Sequence, residues 1–271
     1  MITRDPIDVP YTTNPLLSLW YTVAVGAQDV GRATLLIVQS LAGVRRLFSK
    51  RGRPAFVEQL YTVGIASLPL ITIVALFIGM ILALQTGLEL RRFNQEIFIG
   101  SAVMVSMLRE MGPLMSALIL TACVGSAMAA QIGTMTVNDE IAALEMLAID
   151  PVRFLMTPRI WALVIMTPLL SFYTCVVGVI GGGVVGYTQL NIQWVQYFDI
   201  AIDFARERDL YVGLLKAVIY GIVIAGVACY EGFTAAQGAV GVGRATRSSV
   251  VKSFLLILIL GYFVTRGFYN G

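Results

Sequence analysis

The chain contains no histidine, and only 13% of its 271 residues are charged. Without imidazole, the commonest metal ligand and the commonest general base near neutral pH are both missing. Cysteine is scarce as well. Cys123, Cys175 and Cys229 lie far apart in apolar runs, with no metal-ligand or redox spacing among them, and as small apolar residues they need no role beyond packing. A net formal charge of +3 is too small to argue for a nucleic-acid partner. Soluble domains carry about 25% charged residues, so the shortage of charge argues against an ordinary soluble fold. The first fifteen residues hold Arg4, Asp5, Pro6, Asp8, Pro10 and Pro15; they contain no apolar core, and no cleavable signal is expected.

Apolar residues make up 58% of the chain, and residues 59–88, 111–138 and 160–198 contain no Asp, Glu, Lys or Arg. About 20 apolar residues suffice for a helix to cross a bilayer. The alternating segments of about ten residues that mark outer-membrane barrels are absent. The expected fold is therefore an all-α polytopic membrane protein.

Residues 1–54 read as a tail followed by an amphipathic interfacial helix. Over 14–49, Leu16, Leu19, Val23, Ala27, Val30, Thr34, Val38 and Leu41 recur at helical steps, while Gln28, Asp29, Arg32 and Gln39 interrupt the run. A basic cluster, Arg45 to Pro54, closes this region and suits cytoplasmic headgroups. Residues 55–271 are expected to hold five spans, at about 62–84, 97–130, 160–186, 212–230 and 250–268. Taken whole, 97–130 would be about 50 Å long against a hydrocarbon core of about 30 Å. The crossing is placed at 111–130, with 97–110 as its extension or a re-entrant start. Lys216 lies near one end of the fourth span and is expected to snorkel. With the N-terminus inside, the cytoplasmic segments carry twelve Lys and Arg against five outside, which favours an N-in, C-out chain.

Four features could carry function. The first is an acidic amphipathic helix between the second and third spans. Thr136-Val-Asn-Asp139 reads as a capping box and Pro151 as the stop after Asp150. Ile141, Leu144 and Ala148 share one face, while Asp139, Glu140, Glu145 and Asp150 supply negative charge. It is either a grip for a soluble partner or a solvated connector. The second is Arg109-Glu110, which reads equally as a polar patch in a substrate cavity, with Arg109 open to phosphate, or as an ion pair at the membrane boundary. The third is a set of small residues at four-residue steps: Gly125, Ala129 and Gly133, then Gly178, Gly182 and Gly186. These read as helix-packing stripes. The fourth, Gly238-Ala-Val-Gly-Val-Gly243-Arg244-Ala245, lacks the Lys and Ser/Thr of a phosphate loop and reads as a flexible or tightly turned loop. No nucleotide site is recognisable in the sequence.

In order, Arg109-Glu-Met-Gly-Pro113, Gly125-Ser-Ala-Met-Ala-Ala-Gln-Ile-Gly-Thr-Met135, Asp139-Glu-Ile-Ala-Ala-Leu-Glu-Met146, Ile149-Asp-Pro151 and Gly241-Val-Gly-Arg-Ala-Thr246 resemble the MlaE/YrbE permeases. These are the membrane subunits of MCE-associated lipid ABC transporters, and the resemblance covers about residues 55–266. It implies a homodimer in the bacterial inner membrane, each subunit having an elbow helix and five spans. A cytoplasmic ATPase that binds Mg-ATP would dock on a coupling helix matching Asn138–Asp150, whose contact residues would be Asp139, Glu140, Ile141, Leu144, Glu145, Met146 and Asp150. It also implies a periplasmic MCE-domain partner and leaves room for a small STAS-type subunit. Phospholipid would pass between inner and outer membranes through a central cavity, maintaining outer-membrane lipid asymmetry, with Arg109 and Glu110 matching a charged pair near the lipid pocket. Gln131 stands where the family usually has Glu, so an ion pair formed there is lost.

Two rivals come from other classes. An ion-driven secondary transporter would need acids buried at mid-membrane and an inverted repeat, but the spans hold almost none besides Glu110 and number five. An intramembrane enzyme would need a nucleophile paired with a base, and no such pair accompanies Arg109-Glu110.

Overall fold

In lipid every backbone polar group needs an internal partner, which confines spanning segments to helices or closed barrels. The computed structural model describes residues 31–46 and 52–269, and no strand occurs among them. Its helices are α1 (31–42), α2 (Arg53–Val63), α3 (Leu68–Arg92), α4 (Ile99–Ser106), α5 (Gly112–Leu120), α6 (Ser126–Val137), α7 (Glu140–Met146), α8 (Thr157–Leu190), α9 (Trp194–Asp203), α10 (Glu207–Phe233) and α11 (Gly238–Tyr269). Single π-helical turns at Met107–Met111, Thr121–Gly125 and Val152–Met156 interrupt them.

Five helical segments are long and apolar enough to cross a membrane: Arg53–Arg92, Glu96–Val137, Val152–Leu190, Glu207–Phe233 and Gly238–Tyr269. They are longer than the expected spans because hydropathy marks only the apolar middle, while the helices continue through polar ends. Residues 97–110 run on helically into 111–130. Of the expected interfacial helix, 14–30 and 47–49 lie outside the described residues, as do residues 47–51 of the basic cluster.

The chain divides into two compact units. One holds the residues up to Phe56 together with Gly125–Trp161 and Ala225–Ser253. Here α1 buries Leu36 and Ser40 and leaves Leu35 and Val38 exposed. The buried face is thus offset from the expected stripe through Thr34 and Val38. A helix that faces both protein and lipid needs two apolar faces, and periodicity cannot tell them apart. Ile37 fills the space that a Cβ at Gly226 would occupy. Lys252 pairs with Glu231. Residues 238–245, expected as a loop, form the first turns of α11. Only Gly238 itself is left-handed, with φ 83°. The helix fits there because a Cβ at Gly241 would lie 1.8 Å from the carbonyl oxygen of Ala236; the glycine serves close approach and not looseness.

The other unit holds Val57–Val124, Ala162–Ile224 and Phe254–Gly271. A Cβ at Gly79 would sit 1.8 Å from the carbonyl oxygen of Gly178, and one at Gly181 would sit 2.4 Å from that of Leu76. Glycine is therefore what lets α3 and α8 touch backbone to backbone. Gly182 and Gly186 serve a different end: a Cβ at Gly182 would meet the Tyr197 hydroxyl and one at Gly186 the Tyr197 ring, and that hydroxyl donates to the Val179 carbonyl at 3.1 Å. Tyr197 comes from α9, is 1% exposed and packs with Ala83, Ile99, Val103 and Met107. Burial pushes its phenol well above the ordinary range. Aromatic contacts cluster on and around α9, with Tyr187 of α8 and Phe198 of α9 on Trp194 and with Phe98 on Phe204, as expected at a membrane–water interface.

Candidate functional site

The π-helical turn Met107–Met111 carries Arg109 and Glu110. Such turns widen a helix locally and recur at functional sites. Pro113 has no N–H to give the carbonyl four residues back, which is that of Arg109. That carbonyl accepts a hydrogen bond from Lys216 Nζ at 2.8 Å. The same ammonium donates to Glu110 Oε1 at 2.6 Å. Lys216 reaches this point because α10 approaches closely one turn earlier, where a Cβ at Gly213 would lie 2.3 Å from the Leu108 carbonyl oxygen. The Lys216 side chain is 0% exposed, so it does not snorkel; its charge is neutralised where it stands. Thr265 from α11 completes the set, its hydroxyl donating to Glu110 Oε1 at 2.6 Å.

Arg109 does not pair with Glu110. Its Nε lies 2.9 Å from Oδ1 of Asp209, a side chain only 2% exposed. The Tyr269 hydroxyl donates to the same oxygen at 2.6 Å, and the Arg109 guanidinium stacks over the Tyr269 ring at 4.6 Å. Arg208 covers the same ring at 5.8 Å and donates to the Phe268 carbonyl. Adjacent residues therefore project to different partners, and the ends of α10 and α11 are tied to the π-helical turn by charge. Asp209, Thr265 and Tyr269 escaped the sequence reading. Charge balance held the signal for one of them: Arg109 and Lys216 are two buried-segment cations against Glu110 alone, which calls for a second acid.

The acidic segment folds differently from its expected form. Helix α7 has seven residues, Glu140–Met146. No capping box forms, because the Thr136 hydroxyl donates to the carbonyls of Ile132 and Gly232 and Asp139 is left-handed with φ 57°. Ala148 is left-handed as well, at φ 59°, and the Ile149 N–H returns to the Leu144 carbonyl, ending the helix before Pro151 is reached. Asp150 begins the next element: its Oδ1 accepts from the Val152 N–H at 3.1 Å and its Oδ2 pairs with Arg153. Ile141 and Leu144 are half-buried, whereas Asp139, Glu140, Glu145 and Asp150 are exposed. Met146 is 82% and Leu147 71% exposed, so α7 ends in an uncovered apolar tip between carboxylates.

In the same unit Arg159 is 7% exposed. Its guanidinium donates to Gln131 Oε1 and to the Leu155 carbonyl, both at 3.4 Å, and its Nε has no hydrogen-bond partner among the described residues. Arg159 gave no signal in the sequence, since it lies at the edge of an uncharged run. The glycines Gly125 and Gly133 lie in the same segment; Gly125 ends a π-helical turn, and a Cβ at Gly133 would make ordinary contact with Ala235 and Val242.

The model of the family described as Permease MlaE matches residues 56–266. The chain belongs to the MlaE permease family. It is 36% identical over 254 residues to a probable ABC transporter permease protein of Rickettsia prowazekii, covering 90% of this chain and 98% of the relative. It is 32% identical over 237 residues to the intermembrane phospholipid transport system permease protein MlaE of Haemophilus influenzae, covering 87% and 90%. A probable ABC transporter permease protein of Synechocystis is 33% identical over 256 residues, covering 94% of each chain. The matched region starts in α2 and ends near the close of α11. It takes in every member of the polar cluster around Arg109 and Glu110 except Tyr269, and all of α7.

Proposed function

We propose that this chain is the membrane subunit of an ABC transporter that moves phospholipid between the inner and outer membranes of a bacterium and so maintains outer-membrane lipid asymmetry. The family match over 56–266 carries this reading. ATP hydrolysis takes place in a separate cytoplasmic subunit that holds Mg-ATP, and the permease itself is not an enzyme. The ATPase grips α7. The exposed Met146 and Leu147 fit a hydrophobic socket and Glu140 and Glu145 pair with its basic rim, an arrangement in which apolar anchors supply the affinity and rim charges the register.

The transporter is a homodimer. The first and last spans support this, since only 22% of each apolar window is buried within one chain against 67% for the fourth. The bare face of α3, with Ile73, Phe77 and Ile81, and that of α11, with Phe254, Leu258 and Tyr262, then face the second copy or the lipid cavity. The N-terminus and α7 are cytoplasmic and the C-terminus periplasmic, in line with the excess of Lys and Arg on the inner segments. A periplasmic MCE-domain protein receives the lipid. Arg109, 35% exposed at its side chain, offers its remaining N–H groups to a lipid phosphate while Asp209 orients it.

The test is charge reversal at the grip. Glu140→Lys with Glu145→Lys should leave the protein in the membrane, abolish co-purification of the ATPase and uncouple ATP hydrolysis from lipid. Normal ATPase coupling in that variant overturns the assignment of α7.

A further inference from the structure

Where α3 and α8 end, the segments that follow form an open, polar cavity of about 340 Å³, near the small end of ligand-sized pockets. Its polar lining consists of Asn94, Glu96, Asn191 and Gln196, with Ile97 and Leu190 as apolar wall. Three of the four polar residues are carboxamides and the fourth is a carboxylate, so the acceptors include one full negative charge. Two helix C-termini point their partial negative charge at this region. The end of α3 carries Arg91 and Arg92 in its last turn, but the last turn of α8 has no basic residue. Asn94 and Asn191 both hold left-handed backbone, at φ 54° and 52°, which ends the helical path just past α3 and α8. Glu96 meets Arg91, whose Nε lies 3.3 Å from its Oε1. This pair is exposed enough to exchange partners cheaply.

From this arrangement we infer that the cavity is a headgroup-reading subsite for aminophospholipids. The carboxylate of Glu96 and the carboxamide oxygens receive a primary ammonium, and Arg91 takes the adjoining phosphate. A zwitterionic pair on the protein thereby matches a zwitterionic headgroup. A quaternary ammonium fits poorly, because it has no N–H for the carboxamides and the lining contains no aromatic cage. The depth also suits a lipid: the helix ends and short segments around the cavity carry the Phe98–Phe204 and Tyr187–Trp194–Phe198 contacts, and such aromatic residues sit at headgroup level.

The inference rests on the phospholipid reading above, and its test separates the two. The intact transporter complex is reconstituted into vesicles of equal parts phosphatidylethanolamine, phosphatidylglycerol and phosphatidylcholine, then extracted gently, and retained lipid is counted by mass spectrometry. The wild type is expected to retain phosphatidylethanolamine over each of the others by several-fold. Glu96→Gln should reduce that preference at least threefold with total retained lipid unchanged. Asn191→Gly, which keeps the left-handed backbone, should reduce it more modestly. Undiminished preference in both variants, or no preference in the wild type, overturns the headgroup site alone. Retention of no phospholipid by any of the proteins overturns the transport reading as well.

Discussion

Lys216 and Arg159 are both buried cations in apolar surroundings, yet they are settled in opposite ways. Lys216 has a carboxylate at 2.6 Å and a backbone carbonyl freed by Pro113 at 2.8 Å. Among the described residues, Arg159 has only two neutral oxygens at 3.4 Å and an Nε without a hydrogen-bond partner. The first site is a closed charge network spread over the π-helical turn, α10 and α11. The second is open, and the residue that leaves it so is Gln131. A buried charge is tolerated when a counter-charge and hydrogen bonds replace its lost hydration, so the closed site should be a point of rigidity and the open one a point where the packing can shift.

Exchanging the chemistry of the two sites tests this contrast. Glu110→Gln converts the closed site to the open kind, leaving a fully buried ammonium facing neutral oxygens. It should cost about 3 kcal/mol, read as a large fall in thermal stability of the detergent-solubilised protein. Adding Lys216→Met to that variant should recover part of the loss, and a Glu110→Gln protein as stable as wild type would show that the network does not bind the helices together. Next in size is Tyr269→Phe, which removes the hydroxyl donated to buried Asp209. A hydrogen bond to a charged group contributes about 1.5–3 kcal/mol, and the loss should appear first as faster amide exchange at the end of α11. The smallest effect runs the other way. Gln131→Glu gives Arg159 a carboxylate and should raise stability by about 1 kcal/mol, because Gln131 is itself exposed and solvent screens part of the gain. A fall in stability on that substitution would mean that the Arg159 site is already satisfied.

The long apolar runs made the five spans readable, since lipid admits few alternatives to helix. Their ends were not readable, because polar residues such as Glu96 and Arg92 continue a helix beyond the apolar window. The glycines of α8 were read as a packing stripe, and Gly178 behaves as one; Gly182 and Gly186 instead make room for Tyr197 of the following helix, which folds back on α8. In the acidic segment, the charges and the half-buried pair Ile141 and Leu144 follow from the pattern. The cap does not, because Thr136 finds the Gly232 carbonyl, a partner 96 positions away. Glycine-rich 238–245 shows the same limit: local propensity argues for a loop, while close packing on Ala236 favours a helix.

Composition and periodicity by themselves determined that this is an all-α membrane protein with an acidic polar segment between its second and third spans, and the ordered motifs placed it among the MlaE permeases. Those properties depend on local transfer of side chains between water and lipid, which each stretch of chain expresses on its own. Which charge meets which was decided only in three dimensions. Arg109 and Glu110 are neighbours in sequence, but the widened helical turn sends one to Asp209 and the other to Lys216, more than 95 positions along the chain. A buried ion pair depends on distance and on the hydrogen bonds left to its partners, and neither is written in the spacing of residues along a chain.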